Sequence, residues 1–284
     1  MPELPEVETM RRGIADVVGG TIVETRFPVI SCKPIAVSPA RPTLARQLRG
    51  ATIERLDRIG KRLVIRLCHA RALVIEPRMT GLLLLANPPD EGHLRVGWRL
   101  EGVPVDWLWF WDRRGLGTLQ LLSDKQLVAR YGPGKVGPDA LAVTVDILRA
   151  QLAASRREIK VALLDQRAIA GIGNLYASEI LHVAKVSPFT PCHQITIPQW
   201  RRIADATRSV LEEAVKYEGS TLSDGTYRNA LNQNGGYQNH HRVYDRAGQD
   251  CPRGCRSQVQ RGVQAQRSTF WCPRCQVLRK TNRA

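Results

Sequence analysis

Acidic side chains are in short supply: 26 Asp and Glu stand against 42 Lys and Arg, which leaves a formal net charge of +16 over 284 residues. A surface so deficient in acids attracts polyanions by releasing their condensed counterions, and nucleic acid is the leading partner. Long apolar runs are missing too. The most apolar stretch, LVIRLCHARALVIEPRMTGLLLLAN, is broken by Arg66, Arg71, Glu76 and Arg78, so it falls short of the ~18–20 apolar residues that span a bilayer. There is no secretory signal, no lipidation motif and no polybasic run beside an apolar helix, which leaves an anionic membrane as the lesser alternative partner. Internal repeats and low-complexity tracts are absent. With 43% hydrophobic and 24% charged residues the chain is expected to fold, as a soluble cytoplasmic protein.

At ~100–200 residues per domain, the length favours two domains. Leu4 to Val18 carries Val7, Met10, Ile14 and Val17 at helical spacing, with Pro5 suited to a first turn and Gly19-Gly20 as a stop. From Thr21 to Leu122 short runs rich in Val, Ile, Leu and Trp, broken by Gly and Pro, predict an antiparallel sandwich or barrel. YGPGKVGPDAL (131–141) reads as a linker. Beyond it, VTVDILRAQLAAS, REIKVALLDQ, GNLYASEILHVAK and TIPQWRRIADATRSVLEEAVKYEG are helical in period, the last with a capping box of Thr196 and Gln199 and a terminal Gly219. The polar stretch that follows, rich in Asn, Gln and Gly, reads as a long mobile functional loop. The expectation is an α+β multidomain chain: 1–130 a β-sandwich with a leading helix, 131–141 a linker, 142–245 helical with that loop, and 246–284 a cysteine-rich tail.

Of seven cysteines, Cys32, Cys68 and Cys192 are scattered singly, as small buried hydrophobes usually are. Cys251, Cys255, Cys272 and Cys275 form a C-x3-C-x16-C-x2-C pattern. Four thiolates in two close pairs can surround one zinc ion tetrahedrally, and in a chain without an export signal metal ligation precedes disulfide formation as the reading. The tail buries little apolar surface by itself, so metal binding would supply folding free energy on the order of 10 kcal/mol. Arg253, Arg256, Arg261, Arg267, Arg274, Arg279, Lys280 and Arg283 have only Asp250 as an acid among them, a density that suits a nucleic-acid finger around a structural ion.

Taken together, PELPEVETMRRGI at the start, GIGNLYASE in the middle and the paired cysteines around AQRSTFWC resemble the formamidopyrimidine-DNA glycosylase family, almost end to end. The resemblance implies a β-sandwich lobe, a helix-two-turns-helix lobe with a four-cysteine zinc finger, damaged double-stranded DNA held in the cleft between, and action as a monomer. By themselves Pro2 and Glu3 read as the lead-in to a helix. The resemblance makes Pro2 the nucleophile, because with Met1 removed its secondary amine has an appreciable neutral fraction near neutral pH. It makes Glu3 the acid-base partner, with Glu6 a second candidate. Lys61 matches a strand lysine at the phosphates beside the lesion, Lys160 a lysine near lesion and phosphates, and Arg267 the finger arginine that grips the backbone at the damaged nucleotide. Gly171, Gly173 and Asn174 match a phosphate-binding helix start. Met79, Arg114 and Leu116 match the side chains that fill the gap left by the flipped nucleotide, and Thr221 to Tyr237 the lesion-capping loop.

Three departures stand out. The aromatic wedge of the family is Leu116 here and its Pro-Arg-Arg pattern is Arg113-Arg114-Gly115; the first cysteine pair has three intervening residues where two are usual, which requires a bulge at Gly254; and the chain as written carries Met1. The implied activity is excision of oxidised purines followed by strand cleavage at the abasic site. The alternatives are the sister group that removes oxidised pyrimidines, similar to endonuclease VIII, and a zinc-finger protein that binds damaged DNA without chemistry.

Overall fold

The computed structural model describes residues 2–278; Met1, Arg279, Lys280 and Arg283, which enter the sequence reading, lie outside them. The chain divides into two compact units, Met1–Lys135 with Ala214–Gln238, and Val136–Glu213 with Asn239–Ala284.

In the first unit, α1 (Leu4–Gly13) starts at a capping box made by Glu3 and Glu6. Leu4, Val7 and Met10 are buried along it, one helical turn apart. The α-helix closes at Gly13, earlier than the sequence spacing implies, because glycine is a poor helix former; a 3-10 turn over Ala15–Val17 carries the buried Ile14 and Val17 onward.

Nine strands follow: β1 (Thr21–Arg26), β2 (Ala36–Ser38), β3 (Ala51–Ile59), β4 (Arg62–Leu67), β5 (Arg71–Glu76), β6 (Gly81–Leu84), β7 (Leu94–Glu101), β8 (Trp107–Asp112) and β9 (Thr118–Ser123). Their order is β2-β9-β5-β4-β3-β1-β7-β8-β6. The hinge of this array is thin, since β1 pairs with β3 only at Thr21↔Thr52 and Ile22↔Ala51. On either side of it the array folds into a sandwich. Ile53, Leu63, Ile65, Leu73 and Leu119 from one layer share a core with Ile22, Leu83, Val96, Trp98, Leu108 and Phe110 from the other. Alternation along β8 sends Leu108 and Phe110 into that core and Trp111 to the opposite face, beside Met10, Leu82, Leu84 and Tyr227. The tract also contains α2 (Arg41–Leu48), a helix within the stretch read as sheet; only Leu44 and Leu48 of it are buried. α3 (Asp124–Tyr131) closes the layer behind a Ser123–Gln126 capping box.

A buried ionic cluster fastens α1 to the sheet. Glu8 Oε2 accepts from Arg58 Nε at 3.1 Å and Oε1 from Arg11 and Arg12 at 2.7 and 2.8 Å. Burial pushes the Glu8 carboxyl up, but the guanidinium groups of Arg11, Arg12 and Arg58 outweigh it and hold it at about 2. A carboxyl depressed on folding contributes stability that is complete above its unfolded value and drains away as pH falls toward 2. Glu8→Gln should therefore cost about 2–3 kcal/mol at pH 7, mostly by stranding the buried Arg58. In urea melts the gap to wild type should close between about pH 4.5 and 2; a gap independent of pH would refute the ionic account.

The polar segment after residue 219, expected to be mobile, is packed into the first unit. Tyr227 and Ala230 are buried, Leu85 N donates to Ala230 O, and Thr221 Oγ1 donates to the Tyr227 carbonyl at 2.7 Å. Its many amides serve each other: Asn229 Oδ1 accepts from the N–H groups of Leu231 and Gln233.

The second unit begins at Val136, inside the stretch read as a linker, and Asp139 already caps a 3-10 turn there. It holds α4 (Val145–Leu152), α5 (Ile159–Leu163), α6 (Asn174–Val183) and most of α7 (Ile197–Lys216). Thr144 caps α4 by accepting from Ile147 N, and Thr196 N donates to Gln199 Oε1 at the start of α7. A hairpin of β10 (Gln260–Gln264) and β11 (Arg267–Trp271) packs on α6. Glu179, wholly buried on α6, accepts from the N–H groups of Arg242, Val243 and Tyr244 at 2.8–2.9 Å and so moors the chain leading to the cysteine-rich tail. No helix among the described residues is long and apolar enough to cross a membrane.

Candidate active site and metal centre

Pro2 and Glu3 are both buried, immediately ahead of α1. The capping box explains their fixity: Glu3 N donates to Glu6 Oε2 at 2.8 Å, and the Glu3 carboxylate accepts from the Glu6 N–H in return. The other Glu6 oxygen, Oε1, accepts from Ser220 N at 2.9 Å. Each oxygen of Glu6 thus holds a backbone N–H, which suits a positioning role and leaves Glu3 as the better candidate for moving protons. Lys61 is not in a strand as expected. It is the second residue of the Gly60-Lys61 turn between β3 and β4, where Gly60 takes φ +57°, so the lysine is carried at a hairpin tip.

Met79, Arg114 and Leu116 are all exposed in the first unit. Met79 is 37% and Leu116 36% exposed, which rules out the core-packing role that an isolated Met or Leu would ordinarily have. The Arg114 guanidinium lies 3.0 Å from Met79 Sδ. What holds them was not legible in advance. Asp112, wholly buried, accepts from Gly117 N at 2.8 Å, from Arg114 N at 3.2 Å and from the Thr80 hydroxyl. Thr80 Oγ1 also accepts from Arg114 N. Buried Arg95 caps the same loop from behind through the carbonyls of Asp112, Arg113 and Lys33. Gly115 is required by this geometry: its φ is +60°, and a Cβ there would fall 2.3 Å from Lys33 O. The only sequence hint was an aspartate directly before Arg113-Arg114.

In the second unit, Lys160 is fully buried and its Nζ donates to Ser268 O at 2.8 Å and Thr269 Oγ1 at 2.7 Å. It is neither a snorkelling lysine nor one presented at the surface. Asn174 Nδ2 donates to the same Ser268 carbonyl at 3.0 Å. Two side chains from the helical part therefore clamp β11 one residue beyond Arg267, which is itself exposed. Gln264 extends the clamp, accepting from Thr269 Oγ1 and donating to Glu158.

The four tail cysteines converge. Their Sγ atoms all lie within 4.8 Å of one another, with Cys251 to Cys275 at 3.8 Å and Cys255 to Cys272 at 3.4 Å. Four thiolates 2.3 Å from a central zinc would be about 3.8 Å apart, so the donor set fits a tetrahedral ion. Gly254 takes φ +64° and Gly254 N closes a turn on Cys251 O at 3.0 Å, which is how the longer first spacing is accommodated. Burial raises the Cys251 and Cys275 thiols, whereas at Cys272 the hydrogen bonds from the Cys275 backbone and the neighbouring thiols outweigh burial and lower it.

Comparison with known proteins gives one consistent answer. Residues 1–119 match the formamidopyrimidine-DNA glycosylase N-terminal domain and residues 136–226 the formamidopyrimidine-DNA glycosylase H2TH domain. A protein of Chloroflexus aggregans named formamidopyrimidine-DNA glycosylase is 39% identical over 282 residues, 98% of this chain and 99% of its own. The crystal structure of the MutM (Fpg) protein from Thermus thermophilus superposes with a TM-score of 0.83 at 38% identity, covering 97% of this chain and 98% of that one. Lactococcus lactis Fpg in complex with DNA containing an abasic site superposes with a TM-score of 0.85 at 30% identity, covering 97% and 100%.

Proposed function

This chain belongs to the formamidopyrimidine-DNA glycosylase family and is a DNA glycosylase of base excision repair; from that premise we propose that it excises oxidised purines through an N-terminal proline and then cleaves the abasic strand. The observation that carries the proposal is the seat of Pro2, buried at the start of α1 and fixed by the reciprocal Glu3–Glu6 bonds. Once Met1 is removed, the neutral Pro2 amine attacks C1′ of the damaged nucleotide as the glycosidic bond breaks, and the base leaves with a proton. The C1′–O4′ bond then breaks as Glu3 gives a proton to O4′, and because the amine is secondary the C1′=N bond that forms is a cationic iminium, which acidifies the adjacent sugar hydrogens and permits β- and then δ-elimination. Glu3 moves the protons, while Glu6 keeps the terminus in register.

Met79, Arg114 and Leu116 fill the space left by the flipped nucleotide, on a loop that Asp112 and Arg95 have already set. Arg267 contacts the backbone at the lesion, with Lys160 and Asn174 acting through β11 to place it; Lys61 meets a phosphate from its hairpin tip. Cys251, Cys255, Cys272 and Cys275 would hold zinc, which when bound supplies a rigid cross-link for the tail that carries Arg267. The partner is damaged double-stranded DNA, in keeping with the solved relative bound to abasic-site DNA.

The relatives' names favour purine-derived lesions over the oxidised-pyrimidine alternative. Excision of 8-oxoguanine opposite cytosine should outrun that of thymine glycol when both duplexes are compared in one buffer. Faster release of thymine glycol would reverse the substrate assignment, and release of neither base would favour a protein that binds damage without chemistry.

A further inference from the structure

His182 sits at the C-terminal end of α6, 1% exposed. Its Nε2 lies 3.6 Å from Cys251 Sγ, and its Nδ1 is buried with no hydrogen-bond partner among the described residues. Two directions are open to the Nε2–Sγ bond. If the thiol donates, the neutral ring must carry its proton on Nδ1, and a buried N–H is left unpaired. If the ring donates from Nε2, only a bare lone pair is buried at Nδ1, the cheaper arrangement. A metal-bound cysteine is a thiolate and can only accept. The burial of Nδ1 therefore favours the tautomer that a metal-bound Cys251 requires.

A second contact fixes the same geometry. Arg253, between Cys251 and Cys255, donates from one guanidinium nitrogen to Val183 O at 2.9 Å and to His182 O at 3.2 Å, the latter carbonyl also accepting from Lys185 N, and so caps the last turn of α6. The first cysteine knuckle is thus seated on the last turn of α6, its sulfur facing the imidazole and its arginine capping the helix.

We propose that His182 is a positioning residue of the metal centre, donating an N–H···S bond from Nε2 to the Cys251 thiolate and joining α6 to the ion. The proposal rests on the four cysteines being a metal site. Loading the ion releases the Cys251 proton to solvent, and the Nε2–H dipole then disperses part of the charge on that sulfur. Partners of this kind orient metal ligands and tune their basicity; their loss weakens metal binding by roughly 10- to 100-fold.

The test uses the full-length chain loaded with Co2+ or Cd2+. Competition with a chromophoric chelator should show Co2+ binding about 10- to 100-fold weaker in His182→Phe, with the sulfur-to-cobalt charge-transfer band moved to lower energy because the unbonded sulfur lone pair is higher. His182→Gln, which keeps an N–H donor, should recover part of both changes. Independently of any variant, 15N NMR of the Cd2+-loaded wild type should find the His182 proton on Nε2. A proton on Nδ1, or His182→Phe with wild-type affinity and band energy, would overturn the proposal. Direct ligation of Nε2 to the ion, seen as a mixed nitrogen and sulfur donor spectrum, would overturn it as well. A wild-type chain that binds no Co2+ would instead fail the metal-site reading itself, and the proposal with it.

Discussion

A chain that retains Met1 is expected to give no borohydride-trapped adduct with an 8-oxoguanine duplex and to lose excision by at least about 10³-fold relative to the processed form, the scale on which removing a nucleophile acts. The reason is one of position and valence. In the unprocessed chain Pro2 nitrogen is a tertiary amide with no lone pair to offer, and the free amine has moved a residue away from the seat that Glu3 and Glu6 define. Binding of a duplex carrying a stable abasic-site analogue should change little, because Met79, Arg114 and Arg267 are untouched. The processed enzyme should lose activity as pH falls through the α-amino range of ~7.7–8.0. An adduct that persists with Met1 in place, mapped to a lysine, would remove Pro2 from the mechanism.

Stripping the ion, or Cys272→Ala, should have the second largest effect. Among the described residues the apolar cluster behind the tail is Val243, Val259 and Phe270 with Tyr244 against it, too small to offset the chain entropy of ordering the segment. A four-thiolate ion contributes on the order of 10 kcal/mol in comparable modules. Without it β11 should lose its register, Arg267 should lose its placement, and affinity for lesion DNA should drop by about 100-fold or more at fixed salt. Cys68→Ser, in the other unit and away from the Met79–Arg114 loop, is the control and should bind normally. Anisotropy titration beside a zinc assay checks this, and full affinity in protein verified to be metal-free would show that the tail folds unaided.

Features that repeat along the chain were readable from sequence, and features that depend on distant burial were not. The spacing of Val7 and Met10 announces α1, the short apolar run WLWFWD announces β8, and the cysteine pairs announce their cluster. By contrast α2 offers two buried leucines in eight residues, too few for a helical stripe to show. Asp112 and Arg95 look like ordinary surface charges until the fold brings the Arg95 guanidinium onto the Asp112 carbonyl. Lys160 was legible as a lysine on a helix, but its burial depends on Ser268 and Thr269, more than a hundred residues away. The packing of the polar segment after residue 219 was not legible, because its composition hides that its amides satisfy one another and that Tyr227 and Ala230 are buried.

The bond from Ser220 N to Glu6 spans 214 positions of the chain. In the mechanism proposed above the Pro2 amine is the reactive group, and the alignment of the turn that carries it awaits a partner synthesised more than two hundred residues later. A nascent or prematurely terminated chain carries the same terminal proline, yet lacks the contact that completes its seat. A chain that ends before Ser220 is therefore expected to hold Glu6 by the Glu3 N–H alone, with one of its two oxygens released.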